Sequence, residues 1–483
     1  MKRNLGINAF LNMIKTSLSI LFPLITYPYI SRTLGVSNLG KINYTSSLIG
    51  YFSLIATLGI STYAIREGGK VRENKEKLQK LGNQLFTLNI LTTLLSFVFV
   101  LVTIFFFISS KEYRILLAIQ SLTIFFTTIG VDWINVIFED YLYITIRSVI
   151  IQLISLCFIF IFVKSPEDIY TYSIMTVLAS GITCVMNLVY CRKYLKLKLT
   201  SNLEINKHMG SILILFSSSL AINVYVNSDV LILQWMKGPY YVGLYTIAVR
   251  IYSIIKNMLA SLYSVAIPKL SNYFEEKNFI LFKRTYTKML SIIILILLPM
   301  SSLLWVLSEN IIEFMGGDSF SDSAITLKIL SVSLIGAIFG GILTYALNIP
   351  IGKEKINLKG SIYGIFVNIT FSIILIPFLN QNGAAIATVL SEFFIVIYNL
   401  LILKEYDKYI EFKKIIISSL HGLSGCLTII CVGHIIHFFF NFTIFLDALI
   451  ISIISLLIYL IELVLYKDEI VFSLIKDYRN TNG

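Results

Sequence analysis

The chain has 483 residues, 57% of them hydrophobic and only 14% charged, with a mean hydropathy of +0.82. Soluble domains carry about 25% charged residues, so this composition excludes a soluble enzyme and points to an all-α polytopic membrane protein. In such a chain the net charge of +12 speaks of loop placement, not of nucleic acid.

Apolar runs of about 20 residues, the length that crosses a bilayer as a helix, recur from end to end. Fourteen spans are expected, at 9–31, 42–63, 84–108, 115–133, 147–163, 170–190, 211–236, 244–268, 289–307, 325–348, 360–378, 384–403, 415–437 and 444–466. Met1-Lys2-Arg3 precedes the first run, which has no small-x-small cleavage site and reads on as a span. Lys15 lies near the end of that span, close enough to snorkel to the surface. The segment 64–83 mixes charges of both signs and reads as a solvated or headgroup-facing stretch. The five cysteines (157, 184, 191, 426 and 431) have no CxxC spacing and read as small buried residues.

The stretch from Asn223 to Arg250 is the most unusual. Asp229 and Arg250 flank the turn Lys237-Gly238-Pro239-Tyr240 at similar distances, inside apolar runs. An ionisable residue within a span costs roughly 2.5–3.5 kcal/mol and is expected to face a partner or a watery cavity. Asp229 therefore reads as a partner of Arg250, a proton-titrating coupling group or a structural ion-pair member. In span 8, Arg250, Ser253, Asn257, Ser261 and Ser264 follow one another at helical steps and form one polar stripe. Such a stripe lines an aqueous path for an anionic substrate, or it permits close helix packing. Arginine suits phosphate because its planar fork binds two oxygens at once. Lys256 is about 100° off the stripe, lining a cavity or snorkelling. Glu392 in span 12 is the better candidate for a buried proton relay. Lys328, near a helix end, reads as snorkelling, and the acids Glu309, Glu313, Asp318 and Asp322 as solvated surface. His434 and His437 lack companions at a recognised metal spacing, so neither metal nor cofactor is expected. No P-loop, HExxH or GxSxG pattern occurs, and no catalytic residue is assigned.

Twenty-nine of the 39 lysines and arginines fall in the loops on the terminal side and six in the opposite loops. The positive-inside rule then puts both termini in the cytoplasm. Leu34-Gly35-Val36-Ser37-Asn38-Leu39-Gly40 after span 1 and Lys237-Gly238-Pro239-Tyr240-Tyr241-Val242-Gly243 after span 7 share glycines five apart, 203 residues and six spans later. An even offset gives parallel repeats. The expected organisation is a six-helix lobe over 1–208, a second over 209–403, and helices 13 and 14 with a tail over 404–483.

Several segments, in order, resemble motifs of the Wzx-type polysaccharide transporters, the O-antigen and capsule flippases of the MOP superfamily, which also holds MATE exporters and the lipid II flippase. They are Tyr29-Ile30-Ser31-Arg32-Thr33-Leu34-Gly35 with Gly40, Asn227-Ser228-Asp229, Val242-Gly243-Leu244-Tyr245, Ala248-Val249-Arg250, Pro268-Lys269-Leu270-Ser271, Pro350-Ile351-Gly352-Lys353-Glu354-Lys355 and Asn382-Gly383-Ala384-Ala385. The family's W-F-F-Q-G-x-E segment is altered: Trp133 and Glu139 keep the spacing, while Val136 and Ile137 replace Gln and Gly. The resemblance implies two lobes around a cationic cavity. It also implies transfer of an undecaprenyl-diphosphate-linked oligosaccharide to the outer leaflet of the bacterial inner membrane. Its expected partners are membrane lipids, a polysaccharide polymerase and a chain-length regulator. Arg250 is the first expectation for diphosphate contact, followed by Arg32 and Lys256, with Ser253, Asn257 and Ser261 beside them; Asp229 and Glu392 are expected to couple. The alternatives are a MATE-like cation-coupled exporter, a polytopic glycan polymerase and a non-transporting assembly scaffold. Spans 1, 2, 3, 5 and 6 contain no acid, which argues against the exporter.

Overall fold

The computed structural model describes residues 5–403, 406–440 and 443–468, with side chains from residue 22. Lys2, Arg3, Lys404, Lys476 and Arg479 of the charge count, and the side chain of Lys15, lie outside the described residues.

The described chain is helical. α1 (Leu5–Thr57) contains 53 residues. A straight helix of that length would run about 80 Å, more than twice the ~30 Å hydrocarbon core. It breaks at Gly35 (φ 76, ψ 172), a conformation that a Cβ disfavours, and each half has the length of one span. Gly59 (φ 73) then starts the short α2 (Ile60–Lys70). α3 (Lys75–Val102) is capped by Asn74, whose side chain accepts from Lys77 N–H at 3.0 Å, and ends in a π-turn over Thr103–Phe107. α4 (Lys111–Gly130), the short α5 (Asp132–Ile137), α6 (Tyr141–Phe162), α7 (Ile169–Cys191) and α8 (Ile205–Lys237) follow. After them come α9 (Pro239–Ser264), α10 (Ile267–Glu275), α11 (Phe279–Val306), α12 (Ser308–Gly316) and α13 (Ser323–Gly341), which continues as a π-turn over Ile342–Asn348. α14 (Glu354–Leu379), α15 (Gln381–Ile402), α16 (Phe412–Phe439) and α17 (Ile444–Leu465) complete the chain.

Twelve described segments are long and apolar enough to cross a membrane, one of them running from Phe22 to Lys70 across the Gly35 break. α9 adds another helix of span length, made less apolar by its polar stripe. The fourteen expected spans thus each have a helix, and the protein is a multi-pass membrane protein. Span 5 begins earlier than expected, at Tyr141. Arg147, counted above among the loop charges, is therefore inside α6 and buried.

Packing divides the chain into two compact units, Met1–Gly243 and Leu244–Gly483. The division comes after α8, which lies against α1 and α2. In the first unit, Trp133 and Ile134 of α5 pack with Tyr63, Leu78, Leu85 and Ile212. In the second, α13 is the central helix, with Leu327, Leu330, Leu334 and Ile338 buried. Gly336 and Gly340 let α15 come close to it, as small residues do between membrane helices. Large apolar side chains such as Leu94, Phe105, Phe106 and Leu457 stay exposed, the surface expected against lipid tails.

Candidate functional site

α9 opens with Pro239, directly after Gly238 at φ 87. Proline suits a first helical position, where its missing N–H would have had no partner. The predicted stripe does lie along one face of this helix. Arg250, Asn257, Ser261 and Ser264 are exposed and Ser253 is half-buried. Ser261 and Ser264 donate to carbonyls of their own helix, Met258 O at 2.6 Å and Ser261 O at 2.8 Å. Arg250 forms no ion pair among the described residues.

The opposite face of α9 is buried and aromatic. The Tyr245 hydroxyl lies 3.4 Å from that of Thr388 on α15, and the Tyr252 hydroxyl 3.4 Å from that of Ser333 on α13. Tyr263 fits against Gly341, where a Cβ would lie 2.5 Å from its hydroxyl. Its ring stacks on Tyr345 at 6.3 Å.

Lys256 sits between the two faces. Its Nζ donates to Glu392 Oε1 at 2.9 Å, joining α9 to the middle of α15. The two expected site residues are therefore one ion pair. The partners differ in access: the Lys256 side chain is 34% exposed and that of Glu392 7%. Gly336 makes room for Glu392, since a Cβ there would stand 3.1 Å from the glutamate Cβ. Farther along α15, Asn399 belongs to a cluster that sequence reasoning missed. Asn348 Nδ2 donates to Asn357 Oδ1 at 2.7 Å and to Asn399 Oδ1 at 2.8 Å, and Asn357 donates to Thr344 O at 3.1 Å. These amides hold the π-turn of α13 to α14 and α15. Asn399 inside span 12 and Asn348 at the end of span 10 were the available signal, while Asn357 lies in the charged loop between spans 10 and 11.

The other expected residues are spread more widely. In the first unit, Arg32 is exposed on α1 and Asp229 is buried on α8, so Asp229 and Arg250 fall in different units. Beside Asp229, Asn227 accepts from Ser47 of α1 at 3.4 Å and donates to Asn223 at 3.3 Å. The buried Arg147 donates to Asp132 at 2.9 Å and lies 5.3 Å from the centre of the Tyr143 ring. Lys328 pairs with Glu309 at 2.7 Å. On α16, His437 is 3.5 Å from Asp447, and His421 is 2.7 Å from Asp468.

The chain as a whole is similar to several known proteins. The family profile described as "Polysaccharide biosynthesis protein" matches residues 5–274, more than half of the chain, and the MatE profile matches 214–374. The capsular polysaccharide biosynthesis protein CapF of Staphylococcus aureus is 28% identical over 228 residues, 45% of this chain and 57% of CapF. This chain thus aligns with little more than half of CapF. A Shigella dysenteriae protein named for O-antigen transport is 23% identical over 79% of this chain and 95% of its own. The lipid II flippase MurJ shares the fold, with a TM-score of 0.77 and 20% identity over 95% of this chain and 99% of MurJ. The chain belongs to the polysaccharide biosynthesis protein family, the Wzx-type group of the MOP superfamily that its motifs resemble.

Proposed function

We propose that this protein carries an oligosaccharide linked to undecaprenyl diphosphate from the cytoplasmic to the outer leaflet of a bacterial inner membrane, by alternating access and with both termini in the cytoplasm. The product would feed O-antigen or capsule assembly, and a polymerase and a chain-length regulator would act after it. The observation that carries this reading is Arg250, an exposed arginine that forms no ion pair among the described residues, on a span-length helix and at the head of a stripe of Ser253, Asn257 and Ser261. A guanidinium held at membrane depth is costly unless water or an anion meets it. A diphosphate offers the paired oxygens that its fork binds, while the polyprenyl tail stays in the bilayer. The hydroxyls and amide below Arg250 suit a sugar chain. Arg32 would meet the headgroup on α1, and Asp229 and Glu392 would couple transport to ion movement. The family and the relatives named above support this class of cargo.

The test is the location of lipid-linked oligosaccharide in cells that lack the protein. It is expected to accumulate in the cytoplasmic leaflet and to be cleared by the wild type. Arg250→Ala, at equal protein level, is expected to clear it at least about tenfold more slowly, the equivalent of ~1.4 kcal/mol. Normal surface glycan without the protein would defeat the reading and favour export of another solute.

A further inference from the structure

Lys256 stands where a buried acid and an open polar face compete for one ammonium. On one side is Glu392, 2.9 Å away and almost fully enclosed. On the other is the polar stripe headed by Arg250, with the half-buried Ser253 one turn before Lys256 and the exposed Asn257 next to it. Among the described residues, Tyr252 and Tyr263 of α9 stand beside the pair, with Tyr345 stacked on Tyr263. The Lys256 Nζ is 5.6 Å from the Tyr252 ring centre, and Tyr263 also feels the charges of Lys256 and Glu392. α13 presents Gly336 to Glu392 and Ser333 to Tyr252.

We infer that Lys256 is shared between Glu392 and the anionic headgroup, so that Glu392 acts as an internal competitor that weakens the hold on the diphosphate enough for release. This rests on the reading of the open α9 face as the headgroup site. The Glu392 Cβ sits against Gly336 of α13 and its side chain is only 7% exposed, which leaves it less room to move than the ammonium has. Lysine has a flexible four-carbon stem and three rotatable donors, and its partial exposure leaves it a way out. In the empty protein the pair cancels its own charge. When a diphosphate arrives, its oxygens can draw the ammonium away, leaving a carboxylate in a low-dielectric site. The cost of that unpaired acid is subtracted from the headgroup affinity. A carrier gains from this arrangement, because cargo must be bound strongly enough to enter and weakly enough to leave.

Competition makes an asymmetric prediction that a purely structural ion pair does not. The experiment uses the full-length protein in lipid nanodiscs, with undecaprenyl diphosphate lacking sugar as the probe. Folding is checked by thermal unfolding. Glu392→Gln removes the competitor and is expected to bind the probe about tenfold more tightly, near 1.4 kcal/mol, while clearing lipid-linked oligosaccharide more slowly in cells. Glu392→Asp keeps the charge but withdraws it, and is expected to shift affinity the same way by less. Lys256→Gln is expected to bind about tenfold more weakly, and adding Glu392→Gln to it is expected to change nothing further. The inference is overturned if neither Glu392 variant tightens binding, or if the tightening survives in the Lys256→Gln background. If the wild type binds and only Arg250→Ala loses the probe, this inference alone falls. If the wild type does not bind the probe, the headgroup reading falls with it.

Discussion

Asp140 occupies the turn between α5 and α6 with three donors on one oxygen. Tyr190 and Tyr194 donate to Oδ2 at 2.6 and 2.8 Å, and Lys193 Nζ donates at 3.1 Å. The same ammonium lies 3.6 Å from the Tyr190 ring centre and 4.5 Å from that of Tyr194. Burial by itself would raise this carboxyl. The hydroxyls of Tyr190 and Tyr194, together with Lys193, outweigh it and hold the group at about 2. An unfolded aspartate titrates near 3.9. The contribution to stability, about 1–2 kcal/mol once solvent screening is allowed for, is therefore complete above that pH and is lost as pH falls through about 2. Asp140→Asn is expected to unfold at a lower temperature than the wild type at pH 6, and the gap is expected to close as the pH is lowered from 5 toward 2. Thermal unfolding in detergent across that range checks this, and a gap independent of pH would refute it. Little at this scale was legible beforehand. Lys193 looked like one more loop charge, since its carboxylate partner is 53 residues away. Lys256 and Glu392 were each singled out because charge inside a span is costly, yet nothing in a linear sequence says that α9 and α15 are neighbours.

The glycine pairs show what an element can disclose. Gly35 and Gly238 both sit at positive φ, 76° and 87°, with ψ near 180°. The matched spacing in the sequence thus corresponds to the same backbone break at both places. The second glycine of each pair has another role. Gly40 and Gly243 face each other within the first unit, and a Cβ on Gly40 would run into the carbonyl of Pro239, while one on Gly243 would run into that of Val36. Backbone cannot give way as a flexible side chain can, so Gly40→Ala is expected to cost about 1–3 kcal/mol or more through overpacking. Gly69 in α2 has nothing within 4 Å, and Gly69→Ala is expected to be neutral or to stabilise by up to ~1 kcal/mol through helix propensity. Unfolding temperatures of the two variants against the wild type decide it; equal effects would mean that the crossing is not tight in solution. Other motifs have similar local causes. Gly352, at φ 73, turns the chain after the π-turn of α13. Gly383 lets α15 fold back against the α14 backbone at Leu375 and Ile376. The π-turns themselves were not foreseeable, because they leave the apolar pattern of a span almost unchanged.

At the scale of the whole molecule, fourteen spans were legible because the bilayer imposes one length and one polarity on every crossing. The packing division was less so, because helix neighbours are chosen by small-residue contacts that composition does not rank. Sidedness is a separate property, since each helix would look the same with the membrane turned over. It rests on the distribution of loop cations, 28 on one side once the buried Arg147 is left out against six on the other, and on the tendency of lysine- and arginine-rich loops to stay in the cytoplasm. Two exposed turns give opposite expectations. Lys277 lies between α10 and α11, and Asp318 between α12 and α13. In a background without the five native cysteines, Asp318→Cys is expected to react with a membrane-impermeant maleimide in intact cells. Lys277→Cys is expected to react only after the membrane is opened. The converse pattern would put the basic loops outside. It would also reverse the direction of the proposed transfer, because a headgroup made in the cytoplasm must first meet Arg250 from the side on which Lys277 lies.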